Sequence, residues 1–357
     1  MKIRMGALAP ALCLAAMSAW AMKPVTLVDQ GSLLAGGTVV PATAEYDPRH
    51  PQSAAQTLHG DHAYAEYQIP QNSRPLPIVM LHGAGQSAKT WDTTPDGRDG
   101  FRNLFLSDRY AVYLVDQPRR GRAGRGTVAG NIAAAPDEAF WFGQFRLGLW
   151  PRQNAETAFP GGDAVLDQFM RQMTPNTAPY DEKVNAAALS AVLAKAGRSV
   201  FFTHSQGCGV GWLTALESDE IAGIAAFEPG SGFVFPEGEV PAPIENHGLF
   251  GPLRAKGVPL EAFLRLTRFP IVMIYGDHVP TRPVTQPHED YWRAAAEMSQ
   301  AFADAVNRHG GDAQVIRLPE KGLSGNTHFM MSDLNNEQVA EVVKAWLRDK
   351  HLDGSDR

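Results

Sequence analysis

The sequence predicts an α/β fold: one mostly parallel central sheet with helices on both faces. Three observations lead there. Short apolar runs, among them Ile78–Leu81, Ala111–Val115, Ile221–Phe227 and Ile271–Tyr275, show no polar alternation, as strands buried on both faces require. Segments of helical periodicity separate them. Glycines and polar residues cluster directly after the runs, where open sheets of this kind bind ligands.

In chain order, Lys2 and Arg4 precede an apolar run from Met5 to Trp20, and Ala19-Trp20-Ala21 has the small-residue pattern of a cleavage site. Residues 1–21 are therefore expected to be a signal peptide. Cleavage near Ala21 would deliver the protein to the periplasm or the medium. The run is short for a span, is broken by Pro10 and lacks a basic stop-transfer flank, so no stable membrane anchor is expected. Loss of Lys2 and Arg4 takes the formal charge from −6 to −8, which favours solubility and gives nucleic acid no basic surface. Cys208 is then the one cysteine left, excluding an intramolecular disulfide; in an apolar helix it is expected to pack as a small hydrophobe.

Val25–Val28 and Ala63–Ile69 are weak strand signals, expected to form an antiparallel edge. The strand Ile78–Leu81 ends in His82-Gly83-Ala84-Gly85, a turn that brings backbone amides close to a ligand. Turn residues 91–98 lead to a helix with Phe101, Leu104 and Phe105 on one face. The strand Ala111–Val115 is followed by Arg119, Arg120, Arg122 and Arg125 among glycines, expected to be solvated or ion-paired. Residues 126–182 break the alternation. Rich in aromatics such as Trp141, Phe145 and Trp150, they are expected to form an inserted helical cap. Alternation resumes with a helix over Val184–Lys195, and a proline-rich second insertion spans 231–268. A helix over Tyr291–Val306, a strand at Gln314–Leu318 and a final helix marked by Val339, Val343 and Leu347 complete residues 22–357 as one domain.

Ser199–Gly209, SVFFTHSQGCG, is the stretch around which the chemistry is organised. Val200, Phe201 and Phe202 form a strand, Ser205 a sharp turn, and Val210, Trp212 and Leu213 begin a helix. This is the strand-turn-helix of a nucleophile elbow, as in α/β-hydrolases, with Ser205 exposed beyond the strand's carboxyl end. Gly207 meets the need for small neighbours, but Thr203 stands where the general G-x-S-x-G pattern has its first glycine. A serine needs a histidine to take its proton, and the histidine needs a carboxylate to fix its tautomer. His328, after the last strand, is the candidate base. Glu228 and Asp277 both follow strands and compete as the acid. The backbone amides of Ala84 and Gln206 are placed to receive a developing oxyanion.

HGAG at 82–85, WDTTPDGR at 91–98, HSQG at 204–207, FEPG at 227–230 and GNTHFMMSDLNN at 325–336 resemble the esterase 713-like family of bacterial α/β-hydrolases, over most of the chain from about residue 60. The resemblance implies a capped hydrolase of carboxylic esters, with Ser205 as nucleophile, His328 as base and Glu228, after the sixth core strand, as acid. It also supports Ala84 and Gln206 as oxyanion donors. One departure is that the type member has two adjacent disulfide-bonded cysteines where this chain has Ala84-Gly85. A bond between neighbours closes almost no loop and contributes little chain entropy.

The expectation is an exported serine carboxylesterase acting on a small-molecule ester with an apolar portion. No metal or organic cofactor is expected, since H-E-x-x-H, clustered cysteines and a G-x-G-x-x-G after a strand are all missing from the sequence. Lactones and polyester fragments are alternative substrates, and a homodimer is left open. The rival class is a binding protein that keeps the scaffold without turnover.

Overall fold

The computed structural model describes residues 24–355, so the signal-peptide reading of residues 1–21 lies outside the described residues. The central sheet has eight strands: β1 (Leu27–Ala35), β2 (Ala63–Pro70), β3 (Ile78–Leu81), β4 (Val112–Asp116), β5 (Ser199–His204), β6 (Ile221–Phe227), β7 (Pro270–Tyr275) and β8 (Asp312–Arg317). Their spatial order is β1-β2-β4-β3-β5-β6-β7-β8. β2 runs antiparallel to both neighbours, and every pairing from β4 to β8 is parallel. Leu81 pairs with Thr203, and Phe227 with His204. The carboxyl ends of β3, β5 and β6 therefore finish side by side at the centre of one edge.

The helices among the described residues are α1 (Phe101–Ser107), α2 (Glu138–Gln144), α3 (Asp163–Arg171), α4 (Glu182–Ala196), α5 (Gln206–Glu217), α6 (Leu260–Phe263), α7 (Pro287–Arg308) and α8 (Asn336–Asp349). Local chemistry marks their ends. The Asp181 side chain accepts from the amides of Lys183 and Val184 at the start of α4, and Pro287 opens α7, where a missing N–H costs nothing.

The strand period of two sorts the core into two layers. Val79, Leu81 and Phe201 pack with Leu189 of α4, Trp212 of α5 and Phe302 of α7. Met80 and Phe202 pack on the other face with Phe105 of α1 and Leu347 of α8.

The expected strand at Val25–Val28 is corrected: β1 begins at Leu27 and runs to Ala35, the one buried residue in it. Most of this edge strand is exposed and only Leu27, Leu33 and Ala35 reach the core, so its sequence carries no sustained apolar alternation. Residues 126–182 contain α2, α3 and a hairpin of Gly148–Leu149 with Arg152–Gln153. Within 231–268, Val234–Pro236 pairs in parallel with Lys256–Val258.

One buried ion pair joins both ends of the first segment to the sheet. Arg119 Nε donates to Asp61 Oδ1 at 2.7 Å, and the Thr127 amide donates to the same oxygen at 3.1 Å. Arg119 Nη1 donates to the Pro179 carbonyl at 2.6 Å, and the Thr177 amide donates to the Arg119 carbonyl at 2.8 Å.

Candidate active site

β5 ends at His204, and Ser205 has φ 56° and ψ −124° before α5 begins. Such a conformation costs a non-glycine residue about 1–3 kcal/mol and persists because its surroundings over-determine it. The Ser205 amide donates to the Phe227 carbonyl at 2.9 Å, tying the turn to the end of β6. A Cβ on Gly207 would lie 2.4 Å from the His82 carbonyl oxygen, so the close approach of α5 to the loop after β3 requires glycine there. Space for Thr203 is made from the helix side. A Cβ on Gly211, one turn beyond Gly207, would lie 2.8 Å from Thr203 Cγ2. The Thr203 hydroxyl donates to Cys208 Sγ at 3.3 Å. Cys208 is buried, and burial pushes its thiol pKa well up, so it packs rather than reacts.

Glu228 follows β6 with φ 51° and is fully buried. His328 Nδ1 donates to its Oε2 at 2.7 Å, and the Gly276 amide donates to Oε1 at 2.7 Å. Arg146 clasps the same carboxylate with both terminal nitrogens, Nη1 to Oε2 at 2.6 Å and Nη2 to Oε1. Burial alone would raise the Glu228 pKa. The Arg146 charge and the bond from His328 overcome it and hold the carboxyl at about 2. His328 is lowered by its own burial against the opposing pull of Glu228, so the imidazole is neutral at pH 7. Its Nε2 has no hydrogen-bond partner among the described residues. The ring packs against Phe145, at 5.7 Å and 15°, Trp292, at 4.3 Å and 36°, and His204, at 4.4 Å and 39°.

Ser205 and His328 line one cavity of about 300 Å³ with Ala84, Gln206 and an aromatic wall of Trp141, Phe145, Phe250, Tyr291 and Trp292. Both insertions contribute to that wall. The structure does not bring Asp277 to His328. Its carboxylate accepts from the amides of His278 at 2.7 Å and Gly325 at 2.8 Å, and so braces the loop that carries the histidine.

A probable secreted lipase of a fungal species is 30% identical to this chain over 314 residues, 80% of this chain and 85% of that protein. A novel bacterial esterase of known structure is 30% identical, with a TM-score of 0.71 over 92% of this chain and 98% of its own. The chain belongs to the esterase and lipase family of α/β-hydrolases. No protein-family model matches the sequence. As an ester-cleaving α/β-hydrolase, it carries its polar groups at the carboxyl edge of the sheet. Among the described residues, no group of three or more His, Cys, Asp and Glu is placed to hold a metal ion, and no helix is long and apolar enough to cross a membrane.

Several supports of this candidate site were not evident in the sequence. The arginine loop was expected to be solvated or ion-paired. Arg119 pairs with Asp61, and Arg122 with Asp116 and Glu66. Arg120 is the correction: it is buried without a carboxylate partner among the described residues, and burial lowers its pKa to about 10. It donates from Nη1 to the Gly83 carbonyl at 2.7 Å and from Nε to Asn176 Oδ1 at 2.8 Å. It thereby holds the loop that presents Ala84. The signal for Arg146 was equally faint, a lone arginine in the aromatic-rich stretch Phe140–Leu147. The two long motifs interlock: Arg98 Nη2 donates to the carbonyls of Ser332 and Asp333 at 3.1 Å, and Nη1 to Asn336 Oδ1 at 2.8 Å. Asp333 in turn accepts from the Thr327 amide at 2.7 Å, next to His328.

Proposed function

We propose that the protein is an exported serine carboxylesterase of the 713-like kind, with residues 126–182 as its cap. His328 Nε2 takes the proton of Ser205, whose Oγ attacks the ester carbonyl. The amides of Ala84 and Gln206 receive the oxyanion, and the protonated His328 returns its proton to the departing alcohol. Water then repeats the sequence to release the acid. Glu228 holds the Nδ1 tautomer and stabilises the imidazolium. The observation that carries this reading is the 2.7 Å bond from His328 Nδ1 to the buried Glu228 carboxylate, His328 lining one cavity with a serine whose φ is 56°.

The cavity, at about 300 Å³, is at the small end of ligand pockets. Its aromatic wall favours a compact ester with an aryl or short alkyl portion over a long acyl chain. The sequence features of residues 1–21 support export, as does the secreted fungal relative.

The test is intact-mass analysis after exposure to a fluorophosphonate, with Ser205→Ala in parallel, followed by p-nitrophenyl acetate, benzoate and palmitate as substrates. One adduct confined to the wild type, with acetate and benzoate cleaved faster than palmitate, is expected. A folded wild type that forms no adduct would put the binding-protein reading in its place.

A further inference from the structure

We infer that Arg146 is a positioning residue of the catalytic triad, delivered to it by the inserted segment 126–182. This rests on the Ser205-His328-Glu228 reading. Arg146 and Glu228 are both shut off from solvent, with side chains 1% and 0% exposed. A bidentate guanidinium fixes the plane of a carboxylate as well as its charge, which a single ammonium does not. Arg146 Nε donates to the Asp277 carbonyl at 2.9 Å, so one side chain joins the loops after β6 and β7. Its backbone adopts φ 57°, a conformation a non-glycine residue keeps only when its surroundings enforce it.

The two preceding residues act on the same site. The Phe145 carbonyl accepts the His328 amide at 3.0 Å, and the Phe145 ring stacks on the imidazole. The Gln144 carbonyl accepts Trp292 Nε1 at 2.7 Å, orienting the indole against the imidazole. Residues 144–146 thus hold the base, the acid and one of the aromatic walls. Farther along the segment, the Ala158 amide donates to the Gly325 carbonyl and the Leu334 amide to the Ala158 carbonyl, both at 2.7 Å, clasping the histidine loop.

Without Arg146 the buried Glu228 would face His328 with no compensating cation. A carboxylate so isolated takes up a proton or turns away. Either change removes the acceptor that Nδ1 needs when the imidazolium forms.

The experiment compares Arg146→Met, Arg146→Lys, Glu228→Gln and the double variant Arg146→Met/Glu228→Gln by the pH profile of kcat/KM on p-nitrophenyl acetate. The groups facing His328 are Glu228, Arg146 and His204. Once Glu228 has taken up a proton or turned away, the imidazolium loses more support than it gains from the missing Arg146 charge, so the acid limb moves to lower pH. Arg146→Met is expected to lower kcat at least 100-fold with KM within threefold and to move the acid limb down by about one unit. Arg146→Lys should recover tenfold or more. The double variant, which removes both buried charges and so guards against a single variant that does not fold, should be no less active than Glu228→Gln alone. The inference is overturned if Arg146→Met keeps the wild-type profile with kcat within threefold, or if the double variant loses the product of the two single effects. Should Glu228→Gln itself retain full kcat, the triad reading fails first, and that outcome is distinct.

Discussion

Replacing Asp61 by asparagine tests how the inserted segment is anchored. Asp61 is 3% exposed and Arg119 5%. Its oxygens accept from Arg119 Nε at 2.7 Å, Arg119 Nη2 at 3.0 Å, the Thr127 amide at 3.1 Å and the Thr127 hydroxyl. The hydrogen bond from Arg119, aided by Thr127 and working against burial, holds the carboxyl at about 2. A drop of nearly two units from 3.8 corresponds to a contribution on the order of 2–3 kcal/mol in the ionised state. Breaking a buried pair from one side costs about 3–5 kcal/mol, because the surviving charge is stranded. Arg119 keeps its bond to Pro179, so a loss of about 3 kcal/mol is expected at pH 7. The folded pKa lies below the unfolded one. The stabilisation is therefore present above about pH 4 and lost as pH falls through about 2, and the penalty of Asp61→Asn must shrink on acidification. Urea unfolding followed by tryptophan fluorescence at pH 7 and pH 3 measures both quantities. Tryptic cleavage after the exposed Arg125 should also accelerate, since the Asp61 amide bonds to the Arg125 carbonyl and Thr127 would be released. A penalty under about 1 kcal/mol at pH 7, the size of a surface ion pair, would refute the reasoning, as would one that does not change with pH.

Two further outcomes follow from the elbow. Gly211→Ala would gain helix propensity of about 1 kcal/mol elsewhere, yet here its Cβ meets Thr203 Cγ2 at 2.8 Å, so thermal denaturation should show a net loss. The same change in a Thr203→Ala background should be neutral or stabilising; stabilisation in the Thr203 background would contradict the packing argument. Cys208 is buried with its thiol pKa pushed well up, so a thiol-reactive disulfide reagent should titrate no group in the native mature protein and one group in urea.

Much of the fold was legible because strands buried on both faces have to be continuously apolar, as β3, β5 and β6 are. The candidate residues were legible for a related reason. A polar side chain directly after such a strand sits on the carboxyl edge, and Ser205, Glu228 and Asp277 all do. What could not be read was anything whose meaning is a partner. Glu228 and Asp277 are equivalent by position, and they are separated by which carboxylate reaches His328, a matter of 2.7 Å and loop geometry. Arg146 lies 82 residues before Glu228 in a segment without strand-helix alternation. Arg119 and Arg120 looked like the exposed Arg122 and Arg125 because a run of arginines and glycines carries no pattern that marks which are buried. Most of β1 beyond Val28 was missed because an exposed edge strand with few core-facing residues shows little periodicity.

The room that Gly211 leaves for Thr203 has an evolutionary corollary. Small-residue demand at the elbow falls on a shared volume rather than on fixed positions, and this chain meets it from the helix instead of the strand. A lineage can exchange one arrangement for the other only in a particular order. The helix must become glycine before the strand accepts threonine, and once threonine is in place the way back at 211 is closed. Positions 203 and 211 are therefore expected to co-vary among homologues, and a search that insists on the first glycine of G-x-S-x-G will pass over chains that took this route.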